Sequence, residues 1–109
     1  MSISGITNTA TSGMLAQQKR VANIANNVAN VDTPGYQRLN TNLSSTTPSG
    51  VAATTTVSDT PASTPDTSNV DLLDEMTGLI GSEHAFAANA KVFETGADMW
   101  DMLMSIKRD

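Results

Sequence analysis

The chain has 109 residues and a formal net charge of −5, and its six basic residues (Lys19, Arg20, Arg38, Lys91, Lys107, Arg108) are scattered. It is therefore one domain at most, without the basic stripe that nucleic acid requires. It contains no cysteine, which excludes disulfides and thiolate metal sites, and no apolar run is long enough for direct insertion into a membrane.

Residues 1 to about 12 are small and polar, with Ile3 and Ile6 the only large apolar side chains after Met1. This segment has neither a basic n-region nor an apolar h-region, so no cleaved secretory leader is expected. From about Ser12 to Val31 the pattern is helical. Ala10, Met14, Gln17, Val21, Ile24, Val28 and Val31 alternate four- and three-residue steps, a heptad seam with one polar member, Gln17. Thr33-Pro34-Gly35 ends it, because Pro34 disfavours a helical residue before it and Gly35 frees the backbone to turn.

Four asparagines, Asn23, Asn26, Asn27 and Asn30, share one strip of this helix, and Ala22, Ala25 and Ala29 form a second strip beside it. Asparagine is a poor helix former, and a solvent-facing strip normally carries Lys and Glu. Neutral amides that donate and accept suit a face that becomes covered, since burying a paired amide is tolerable and burying an unpaired charge is not. Two antiparallel helices cannot enclose this one, so the covering walls are expected from other copies or other subunits. The bland reading is an amphipathic helix with an unusual polar face.

Residues 40–69 are half Ser and Thr, with Pro48, Pro61 and Pro65. Such a segment reads as a flexible linker or mobile loop. Short pieces such as Val51–Val57 have the composition to pair as strands, a reading secondary to the linker.

A second helix is expected from Val70, capped by Ser68 or Asn69, with Asp71, Asp74 and Glu75 in its first turns and Lys107 and Arg108 at its far end, as the helix dipole favours. Its seam is Leu72, Met76, Leu79, Glu83, Phe86, Ala90, Phe93, Ala97, Trp100 and Met104. If the two seams pair antiparallel with Val31 against Val70, Gln17 and Glu83 come together. They either meet as a buried pair that fixes register or both sit at a wet edge.

No nucleophile–base set is present and no cofactor is expected. His84 beside Glu83 does not share a face with it, so it reads as a surface residue. Gly78 and Gly81 lack phosphate-loop spacing and read as points of close helix contact or local weakening. Met76, Met99, Met102 and Met104 read as adaptable interface side chains.

The stretch Ser12–Arg38, SGMLAQQKRVANIANNVANVDTPGYQR, resembles the N-terminal signature of bacterial flagellar rod and hook proteins. Val70–Met76 (VDLLDEM) and Phe86–Phe93 (FAANAKVF) resemble the C-terminal region of the same family, most like a short proximal-rod member. The resemblance implies axial structural proteins whose terminal helices form an antiparallel coiled coil. It implies helical packing with copies and other axial proteins into a hollow, torque-transmitting shaft, reached through the flagellar type III export apparatus. On that basis Asn26, Asn27, Ala29, Asn30, Pro34, Gly35 and Tyr36 would be packing and turn residues, and none catalytic. The large insert that many relatives carry between the helices is replaced here by the Ser/Thr-rich segment.

The expected fold is all-α: an antiparallel two-helix coiled coil with an irregular connection, divided into residues 1–38, 39–69 and 70–109. The expected function is a non-enzymatic subunit of the basal-body rod in the periplasm. Its rival is a soluble helical-hairpin adaptor, chaperone or regulator of export that binds one partner helix.

Overall fold

The computed structural model describes residues 2–108. It contains helix α1 (Ile3–Ala29), strands β1 (Leu39–Ser45) and β2 (Val51–Val57), and helix α2 (Leu72–Arg108). The expectation of an all-α chain is thus corrected. The first part of the segment read as a linker is an antiparallel hairpin with Leu39 opposite Val57 and Ser45 opposite Val51. β-Branched Thr and Val suit extended backbone. The turn closes where Thr46 N–H donates to the Gly50 carbonyl at 3.0 Å, with Gly50 at φ +105°, a conformation other residues rarely adopt.

α1 starts nine residues before the position expected at Ser12. Ser2 caps it, its Oγ accepting from Gly5 N–H at 2.9 Å. The small polar residues that obscured this start are accommodated locally: the hydroxyls of Thr7, Thr9 and Thr11 donate to the carbonyls of Ser4, Gly5 and Thr7, one helical turn back. At the other end Thr33–Tyr36 forms a β-turn closed by Tyr36 N–H on the Thr33 carbonyl. Pro34 is followed by Gly35 at φ +75°, the order that a type II turn asks for.

α2 begins at Leu72, and its cap is Asp71, whose Oδ1 accepts from Leu73 N–H at 3.0 Å. Ser68 and Asn69, expected to cap it, tie loops together. Ser68 donates to the Val31 carbonyl. Asn69 accepts from Arg38 N–H and donates to the Thr60 carbonyl. The helix end carrying Lys107 lies where expected, whereas the Arg108 side chain falls outside the described residues.

α2 and the hairpin both pack on α1, and neither strand packs on α2. The molecule measures 70 × 24 × 14 Å, with a radius of gyration of 18.6 Å. A compact chain of this length has about 13 Å.

The helices cross antiparallel at glycines. A Cβ on Gly78 would meet Ile24 at 3.3 Å, one on Gly13 would meet the Asn89 side chain at 2.5 Å, and one on Gly96 would meet Thr7 at 2.9 Å. These pairs set a register about one residue from the expected Val31–Val70 alignment. They also correct which face of α2 meets α1. Glu75, Ser82 and Gly96 are buried, and Gly78, Ala85 and Asn89 are partly covered, so the contact stripe is small or polar. The large apolar seam lies about 100° further round the helix. Small residues let the two axes approach, and the bulkier seam is left beside the contact.

Candidate assembly interface

The asparagine strip makes hydrogen bonds along its whole length. Asn27, at 0% exposure, donates from Nδ2 to the Leu39 carbonyl at 3.0 Å and accepts at Oδ1 from Leu39 N–H at 2.7 Å. Its Oδ1 also accepts from the Tyr36 hydroxyl at 2.8 Å. That hydroxyl in turn accepts from Asn26 Nδ2. The Asn27 amide therefore mimics a neighbouring strand at the first residue of β1. Asn23 Nδ2 donates to the hydroxyls of Thr41 and Thr55 at 2.7 and 2.9 Å, bridging both strands. Further along α1, Ser12 Oγ accepts from Val51 N–H, and Thr9 and Ser49 exchange a hydroxyl hydrogen bond.

Asn23 and Asn27 are thus covered by the chain's own hairpin, which corrects the expectation that their walls come from other subunits. Asn26 is exposed. Asn30 turns inward to its own helix end, donating to the Asn26 carbonyl and accepting from Thr33. Ala22, Ala25 and Ala29 are exposed, a strip of small side chains on which another backbone can lie.

Arg38 and Glu75 form a clasp that the sequence reading missed. Arg38 Nε and Nη2 donate to Glu75 Oε1 at 2.9 and 2.7 Å, while Nη1 donates to Asn40 Oδ1. Glu75 is 1% exposed. Two signals pointed here: Arg38 is the one charge between Asp32 and Asp59, and Glu75 shares a helix face with Gly78 and Ser82.

Along the expected seam, Gln17 and Ile24 are buried on α1, and Met14, Val21 and Val28 are half-buried. On α2, Leu72, Met76, Leu79, Phe86, Phe93, Trp100 and Met104 are all exposed, with Trp100 at 54%. Glu83 and Ala97 are exposed as well, and Ala90 is intermediate. Gln17 and Glu83 line one groove with Val21, Leu79, Ser82 and Phe86. They make no hydrogen bond to each other, and Gln17 Oε1 and Ser82 Oγ are buried without partners. His84 is exposed.

Among the described residues only Ala10, Ala16 and Ile24 are buried apolar residues, and the accessible surface is 7267 Å². A compact protein of this mass exposes about 5,800 Å². The excess, about 1,500 Å², is comparable to what a standard-size protein interface removes from both partners together. Among the described residues no helix is long and apolar enough to cross a membrane.

The described residues thus form an antiparallel helix pair with an exposed apolar seam on α2, linked through a hairpin that the strip amides tie to α1. Residues 8–37 match the family described as "Flagella basal body rod protein", and residues 66–106 match "Flagellar basal body rod FlgEFG protein C-terminal". The chain belongs to this family of structural components of the bacterial flagellum. It is similar to the flagellar hook protein FlgE of Rhizobium meliloti (strain 1021), 42% identical over 43 residues, which is 39% of this chain and 11% of that protein. It is similar also to FlgE of Brucella suis biovar 1 (strain 1330), 42% identical over 41 residues, 38% of this chain and 10% of that protein. The chain spans about a tenth of the length of the curated relatives it matches.

Proposed function

We propose that the chain is a structural subunit of the flagellar basal-body rod, which packs helically with copies of itself and with neighbouring axial proteins into a hollow shaft that transmits torque. The observation that carries this reading is the uncovered apolar seam of α2, from Leu72 to Met104. Ordering a residue costs on the order of 1–2 kcal/mol, and the few buried apolar side chains of a single chain offset little of that. Neighbours that cover the α2 seam and the Ala22–Ala25–Ala29 strip supply the missing burial. In this reading the chain reaches its place through the flagellar type III export apparatus, and the rod stands in the periplasm.

A deletion strain scored for swimming, with isolated basal bodies probed for this protein, tests it. The expected result is lost motility and presence of the protein in the basal body. In solution, the chain is expected to be weakly folded when dilute and to form ordered assemblies when concentrated or mixed with other axial proteins. A sharply melting monomer or dimer that binds one partner with one-to-one stoichiometry would point instead to an adaptor.

A further inference from the structure

The hairpin from Leu39 to Val57 contains no Asp, Glu, Lys or Arg. Ser58 N–H donates to the Arg38 carbonyl at 2.8 Å and Thr46 N–H to the Gly50 carbonyl, and Leu39 stands opposite Val57. In an antiparallel ladder, bonded and non-bonded pairs alternate, so the odd-numbered residues of both strands turn their backbone groups outward. The outward groups of Leu39 are held by the Asn27 amide, and the Val51 N–H by Ser12. The outward groups of Thr41 and Leu43 on β1, and of Ala53 and Thr55 on β2, have no partner among the described residues. Proteins usually guard such edges with charges, proline or a cover. Neither strand carries a charge or a proline.

The β1 edge opens on a polar cavity of about 310 Å³ lined by Arg20, Asn23, Arg38, Thr41, Asp74 and Glu75, among others. A second unmet demand stands in its wall. Glu75 Oε1 takes both Arg38 bonds, while Glu75 Oε2 is buried without a partner. The two guanidinium groups in the same cavity disfavour a metal ion and favour a neutral donor.

We propose that the β1 edge takes strand β2 of a second copy, so that hairpins join head to tail into a continuing sheet. This rests on the assembly reading above and adds where copies meet. The occupant follows from complementarity. Both strands have seven residues, and β1 already pairs antiparallel with β2 within one chain. A neighbour in the same orientation therefore presents β2 antiparallel to β1, with its odd-numbered groups facing those of Thr41 and Leu43. The run Thr54–Thr55–Thr56 brings hydroxyl donors to the side of the cavity where Glu75 Oε2 waits. Because the contact joins two different edges, each added copy leaves one β1 and one β2 edge open, and the series does not close as a two-fold dimer does.

Amide hydrogen exchange on the full chain, below and above the assembly concentration, tests the joint. The amides of Leu43, Ala53 and Thr55 are expected to slow at least tenfold on assembly, while those of Asn42 and Thr54, already in the ladder, change less. The natural chain lacks cysteine, so protein carrying Leu43→Cys mixed with protein carrying Ala53→Cys should give a mixed disulfide in greater yield than either alone. Ala53→Pro, which removes one outward N–H, should raise the assembly concentration at least tenfold. Strongest cross-linking by the Ala53→Cys protein alone would mean a two-fold β2–β2 pairing and would overturn the proposal. So would assembly in which the outward amides stay fast and no mixed disulfide forms, a result that leaves the assembly reading intact. Failure of the natural chain to assemble, alone or with other axial proteins, would remove both.

Discussion

Asn27 on α1 holds Leu39 on β1 by both polar groups of its backbone, at 2.7 Å and 3.0 Å. One side-chain amide thereby fixes where the hairpin begins and which face it turns to the helix. Asn27→Ala leaves the N–H and C=O of Leu39 without those partners. Unpaired buried polar groups cost about 1–3 kcal/mol each, so the stability of the assembled chain should fall by about 2–3 kcal/mol in urea titration. The Leu39 amide should also lose its exchange protection. Asn26→Ala, at an exposed position, should cost less than half as much.

The Arg38–Glu75 clasp joins the end of the turn segment to the first turns of α2. Removing one member of a buried ion pair strands the other, at a cost of about 3–5 kcal/mol when both are fully buried. Arg38 is about one-third exposed, so Arg38→Met should cost on the order of 2–3 kcal/mol. Arg38→Met combined with Glu75→Leu should recover much of that loss. A double-mutant cycle measured by thermal or denaturant unfolding of the assembled chain checks the coupling.

Gly13 admits the Asn89 side chain against bare backbone. Gly13→Val forces the helices apart at this crossing and should cost about 1–3 kcal/mol, the usual range for overpacking. Adding Asn89→Ala should restore part of the loss, whereas adding Asn89→Gln should not.

Leu73 is 73% exposed and Trp100 54% in a single chain. Leu73→Ser and Trp100→Ser should therefore change the stability of the dilute chain by no more than about 0.5 kcal/mol. If these side chains become covered between subunits, the same substitutions should raise the concentration needed for assembly severalfold. Sedimentation at graded concentrations separates the two effects.

Both helices were legible because their apolar periodicity runs for many turns. Of the hairpin only Val51–Val57 was legible as a strand, and that second to a linker, because the inner face offers Thr41 and Thr55 hydroxyls to Asn23 rather than an alternation of aliphatic side chains. Periodicity of hydrophobicity cannot register a sheet held by amides and hydroxyls. The α2 contact face was misread for a related reason. Large apolar residues drew attention to the Leu72–Met104 line, while the helices meet along Gly78, Ser82, Asn89 and Gly96, where small size rather than hydrophobicity decides the approach. The unusual density of asparagine was readable as a sign of coverage, but composition alone could not say that residues 39–57 supply that cover for Asn23 and Asn27.

The attachment of the hairpin to α1 is made by neutral groups: Asn23, Asn27, Ser12 and Thr9 meeting Thr41, Thr55, Leu39, Val51 and Ser49. Counter-ions screen charges and leave such dipolar contacts nearly untouched. This seam should therefore keep its geometry from fresh water to brine.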